Sequence, residues 1–115
     1  MDQVAVLIDF ENLVIGAEGS LPGHSDPVPY AAIELVCSDY GNAAIRRAYA
    51  DWAKPQFNRY QENLALNGVD LIHITRFGVA QKNAADVRMA VDAMELLFTH
   101  PDLEVFILVA DLLTL

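Results

Sequence analysis

The chain has 115 residues, 54% of them hydrophobic, and a formal net charge of −9. That length supports one domain and not comfortably two, and that much apolar content excludes a disordered chain. The acidic balance argues against tight, non-specific binding to nucleic-acid phosphates by charge alone. It leaves room for an enzyme whose carboxylates are neutralised by a divalent ion.

No apolar run reaches the roughly 18 residues that span a bilayer, so no membrane partner is expected. Asp2 stands where a signal peptide would need a basic residue. The single Cys37 rules out an internal disulfide and fits a reducing compartment, so a cytoplasmic location is expected. Cys37 falls on the apolar side of a helical pattern and reads as a core residue rather than a nucleophile.

In chain order, Val4 to Ile8 is five apolar residues without a polar break, the pattern of a strand buried on both faces. It ends abruptly in Asp9, followed by Glu11 and Asn12. Ligands of open α/β sheets sit beyond the carboxyl ends of the strands. A carboxylate buried there alone is costly and calls for a cation or several donors. Capping of the next helix by Asp9 or Asn12 is the competing explanation. A short helix over 13–18 is broken by Gly19, and 20–29, with Pro22, Gly23, Pro27 and Pro29, is a loop in which His24 is simply exposed. Tyr30 to Tyr40 is an amphipathic helix stopped by Gly41.

Ala43 to Tyr49 forms a second strand leading into Asp51-Trp52. Its Arg46-Arg47 pair is unusual for a buried strand, and one arginine is expected to reach solvent or an acidic neighbour. Pro55 opens a helix with Phe57, Tyr60 and Leu64 as its apolar stripe and Gly68 as its end. Val69 to Thr75 is a third strand, with His73 facing the sheet edge or a helix rather than a ligand. After a loop over 76–83, a long helix runs from Ala84 to Thr99, its expected stripe being Val87, Val91, Met94 and Phe98, with Ala90 and Leu97 beside it. Leu103 to Ala110 is a fourth strand, followed by Asp111. Strands alternating with helices imply a parallel sheet covered on both faces, a three-layer α/β/α fold of one domain.

Asp9 and Asp111 each follow an apolar strand, so neighbouring strands would bring them to one edge. Asp86 and Asp92 lie about 120° apart around their helix and share a site only if Asp86 sits in the first turn. Such carboxylates would repel one another unless Mg²⁺ or Mn²⁺, which prefer oxygen ligands, lay between them. Sites of this kind activate water for in-line attack at phosphodiesters. Taken singly, Asp86 is an ordinary helix N-terminal acid and Asp92 an ordinary solvated one. Lys82-Asn83, just before a helix N-terminus, could receive a phosphate or be a plain polar loop.

These residues resemble the NYN domains of the PIN-like nuclease superfamily, in the LabA-like branch. The carriers are Val-Leu-Ile-Asp9-Phe-Glu11-Asn12, then Arg46-Arg47-Ala-Tyr49-Ala-Asp51-Trp52, then Lys82-Asn83-Ala-Ala-Asp86 with Val-Asp92-Ala-Met. The resemblance implies a sheet of order 3-2-1-4, usually with a fifth strand, and a metal-dependent ribonuclease acting on RNA. It implies that Asp9, Asp86, Asp92 and the carboxylates after strand four hold the metal, and that Asn12 orients a ligand or water. The family's fourth strand normally runs into Ser/Gly-Asp-Ser-Asp-Phe, then a helix and a fifth strand. Here Phe106 to Ala110 leads into Asp111-Leu-Leu-Thr-Leu115, so the domain is read as lacking its C-terminal part.

The expectation is thus a divalent-metal-dependent ribonuclease with Asp9, Asp86 and Asp111 catalytic and on the metal. Asp92 would be a further or outer ligand, and Lys82 and Arg47 substrate-phosphate contacts. The alternative is a catalytically inactive PIN-like regulatory or dimerisation module, with a homodimer as the partner. An aspartyl phosphotransferase is disfavoured, because Asp9-Phe10-Glu11 lacks the Asp-x-Asp that chemistry needs.

Overall fold

The run from Val4 to Ile8 becomes the centre of a parallel sheet. In the computed structural model, which describes residues 2–20, 30–75 and 84–109, it lies within β1 (Gln3–Asp9), with all five residues removed from solvent. β2 (Asn42–Ala50) pairs with β1 on one side and β4 (Leu103–Val109) on the other, and β3 (Asp70–His73) pairs with the outer edge of β2, all parallel. The order is β3-β2-β1-β4, as the resemblance implied. With neighbours on both edges and helices over both faces, β1 has no wet side and hence no polar alternation.

The strand period of two divides the core. Val4, Val6 and Ile8 face one side, with Phe10, Leu13 and Val14 of α1 (Phe10–Ser20), Cys37 of α2 (Tyr30–Ser38), Phe57 of α3 (Pro55–Asn58) and Leu64 of α4 (Gln61–Leu66). Ala5 and Leu7 face the other, with Met89 and Leu96 of α5 (Ala84–Thr99). The result is the expected PIN-like α/β/α arrangement, with four helices on one face of the sheet and α5 on the other. Each fully buried Val, Leu or Ile contributes about 1.5–3 kcal/mol of transfer free energy.

The paired arginines of β2 split between those faces. Arg46 joins Glu34 of α2 at 3.0 Å and donates to the Asn67 carbonyl at the end of α4 at 2.9 Å, tying two helices to the sheet. Arg47 points to the α5 side. Cys37 is buried, as expected for a core residue.

Several boundaries move. α1 begins directly at Phe10, because Asp9 caps it, and extends to Ser20 rather than 13–18. The helix from Pro55 is two short ones, with Arg59 and Tyr60 in the turn between. The largest correction concerns α5. Val87, Val91, Met94, Leu97 and Phe98, expected to face the core, are exposed, and the buried face is Ala85, Met89, Asp92 and Leu96. The helix is apolar on two sides, and small or flexible residues together with Asp92, which finds partners on the sheet, take the inner one.

Gly41 is more than a helix stop. Its φ of 141° turns the chain into β2 where Asn42 N donates to the Asp2 carbonyl at 2.8 Å, and a Cβ there would collide with that carbonyl oxygen. At Gly68, with φ of 77°, a Cβ would meet only the end of Arg46, at 3.3 Å. Gly41→Ala is therefore expected to cost about 2–4 kcal/mol in urea unfolding and Gly68→Ala about 1 kcal/mol. Equal losses would contradict this account.

Candidate active site

β1 delivers Asp9 to the carboxyl edge of the sheet with 1% of its surface exposed. Its position in the alternation places it on the α5 side with Ala5 and Leu7. The carboxylate is clamped by its own helix. Asn12 Nδ2 donates to Oδ2 at 2.8 Å, and the Asn12 backbone N–H approaches Oδ1 at 3.4 Å. Asp9 is thus a helix cap, and its clamping fixes the direction in which the carboxylate points.

Glu11, two residues on, is 3% exposed. Its Oε2 accepts from the Asp51 backbone N–H at 2.6 Å, locking the end of β2 to the start of α1. The Asp51 carboxylate lies 3.7 Å from His73 Nε2 on the edge strand, so of the two expected places, sheet edge or helix, His73 takes the edge. Trp52 packs at a tilt against Phe10, ring centres 5.4 Å apart, and donates from Nε1 to the Ile72 carbonyl at 3.1 Å.

On the α5 side, Asp9 is in register with Tyr49, whose ring is buried. The Tyr49 hydroxyl donates to Asp92 Oδ2 at 2.7 Å. Arg47 Nη1 stands 3.6 Å from the same oxygen, and Arg88 Nε donates to Oδ1 at 3.1 Å. Asp92, 7% exposed as a side chain, therefore sits under two guanidinium groups and a phenol, the compensation that a buried carboxylate requires. Burial, and then the bond to Asp92, raise the Tyr49 phenol above its ordinary 10.0, so it remains a donor.

α5 returns from the carboxyl edge, so its first turn, carrying Asp86, begins at the edge where Asp9 ends. Asp86 is exposed. Of the residues expected to form the site, the structure joins Asp9 to Asn12 and Arg47 to Asp92, and sets Asp86 at the same edge. Lys82 and Asp111 lie outside the described residues, as does His24. β4 is described to Val109, which pairs with Ile8, one residue before Asp9. Among the described residues no three His, Cys, Asp or Glu side chains group as a metal cage. Asp9 supplies a hard oxygen donor suited to Mg²⁺ or Mn²⁺, but the described donors alone do not complete a coordination shell.

Three contributors escaped the sequence reading. Glu11 was visible within the first motif without a role. Arg88 was signalled by its i,i+4 spacing to Asp92. Tyr49 was visible within the second motif, also without a role, since its partner is 43 positions away.

A doubly covered parallel sheet of order 3-2-1-4, with an acid at the end of its central strand, is the arrangement of a PIN-like domain. The NYN domain model matches residues 3–111, and the chain belongs to the NYN domain family of the PIN-like nuclease superfamily. No curated protein and no solved structure matches it.

Tyr49→Phe removes one buried hydrogen bond and should cost about 1 kcal/mol near neutral pH. Because the folded phenol keeps its proton while the unfolded chain loses it from about pH 10, the native tyrosine destabilises the fold as pH rises past that value. The gap between wild type and Tyr49→Phe should therefore shrink between about pH 8 and about pH 11 in urea unfolding. A gap independent of pH would contradict the assignment.

Proposed function

We propose that this NYN domain is a divalent-metal-dependent ribonuclease of the LabA-like branch, working in the cytoplasm on RNA. The observation that carries the reading is Asp9, buried at the carboxyl end of the central strand and held in one orientation by Asn12. Mg²⁺ or Mn²⁺ would be held by Asp9 together with Asp86 and Asp111. The ion, when bound, supplies the charge that makes water nucleophilic at neutral pH and offsets negative charge building at the scissile phosphate.

The chain's own residues do the positioning. Asn12 fixes the Asp9 carboxylate from the first turn of α1. Glu11 holds the ends of β1 and β2 together beneath the site. Asp92 is a positioning residue in this reading, since its oxygens already serve Tyr49, Arg47 and Arg88. Arg47, expected as a phosphate contact, also braces Asp92. Lys82, in the segment before α5, remains the choice for substrate phosphate, where the N–H groups of a helix start also favour an anion.

The second reading is an inactive PIN-like module. What favours it is the absence of a three-donor cluster among the described residues, with Asp92 neutralised by two arginines. Calorimetric titration with Mn²⁺ separates the two, because an inactive module need bind none.

Asp9→Asn is the sharpest variant, because asparagine caps a helix about as well as aspartate. It is expected to abolish Mn²⁺-dependent cleavage of single-stranded RNA while the melting temperature moves only a few degrees. Undiminished cleavage would refute the metal role of Asp9.

A further inference from the structure

Six apolar side chains of α5 point away from the sheet: Val87, Ala90, Val91, Met94, Leu97 and Phe98. The large ones range from 55% exposed at Val91 to 84% at Phe98. At about 100° per residue they fill a sector roughly 120° wide, opposite the buried face of Ala85, Met89, Asp92 and Leu96. A helix that is apolar on its outer as well as its inner side is ordinarily covered on both. An element lying beside α5 in its own layer would touch the flanks of the helix rather than this crown. The cover has to stack on top.

We infer that the cover is a second copy of this chain, its α5 packed antiparallel on the first across a two-fold axis. Val87, Val91, Met94 and Phe98 are spaced by four, three and four residues, the seam of a two-heptad coiled-coil contact. Antiparallel packing sets Val91 against the partner's Met94, and Val87 against the partner's Phe98, each pair occurring twice. The same register places Ala90 beside the partner's Leu97 on one flank and Arg88 beside the partner's Glu95 on the other. Both flanks are self-complementary, which an isologous interface demands.

A parallel pair would instead set Glu95 beside the partner's Ala90 and lose the charge match. Arg88 engages Asp92 through Nε, and its side chain is still 48% exposed, so it can take a second carboxylate. The crown itself carries no charge, although the chain as a whole has a net charge of −9. An uncharged patch with balanced flanks is where two such acidic molecules can approach. This inference does not depend on nuclease activity.

Light scattering of the full chain across a concentration series should give a dimer mass at the higher concentrations. Met94→Glu, at an exposed site, should be monomeric with an unchanged helical circular dichroism spectrum. Glu95→Arg, which brings two arginines together across the axis, should weaken the dimer by about tenfold. If Met94→Glu does not fold, Glu95→Arg decides alone: a weakened dimer supports the interface, and an unaltered one overturns it. A wild-type chain monomeric throughout, or a folded Met94→Glu that still dimerises, also overturns it.

Discussion

A carboxylate at the buried end of the central strand is the constraint around which the rest of the domain is arranged. β1 can hold its position only with sheet on both edges and helices on both faces, because Val4 to Ile8 leave no side fit for water. The strand therefore brings Asp9 into a place where an unsatisfied charge would be expensive. Starting α1 at once, with Asp9 as its cap and Asn12 as its clamp, is the local answer. It sets the turn from strand to helix and points one acid along the carboxyl edge.

The α5 side solves a similar problem differently. Asp92 is buried in the middle of a helix, where no free backbone N–H groups are within reach. Its partners come from β2 and from the preceding turn of α5, so Tyr49, Arg47 and Arg88 fasten the helix to the sheet. Breaking such a set leaves uncompensated groups rather than merely fewer contacts. The two acids thus divide the labour. Asp9 sits at the edge, where a ligand of an α/β sheet binds, and Asp92 sits inside the bracing that orients the neighbouring helix.

Much of this was legible in the residues. The unbroken run before Asp9 announced a doubly buried strand, and the alternation of strands and helices announced the parallel sheet. The Arg46-Arg47 pair signalled that one arginine would reach solvent or an acidic neighbour, and both found an acid, Glu34 on one face and Asp92 on the other. The orientation of α5 was not legible. Its apolar residues outline two faces, and periodicity cannot choose between them. The choice rests on Asp92 meeting Tyr49 and Arg47, a contact between segments far apart in the chain. The partners of Glu11 were hidden for the same reason, since its acceptor oxygen meets a backbone N–H 40 positions away.

The functional reading stands or falls on whether Asp9 holds a divalent ion at the carboxyl edge of the sheet. Anomalous diffraction from crystals soaked in Mn²⁺ tests it most directly. A peak is expected about 2.0–2.4 Å from an Asp9 carboxylate oxygen, with further carboxylates of the same edge around it. A Mn²⁺ peak bound away from Asp9, or no peak in crystals of the intact domain, would contradict it.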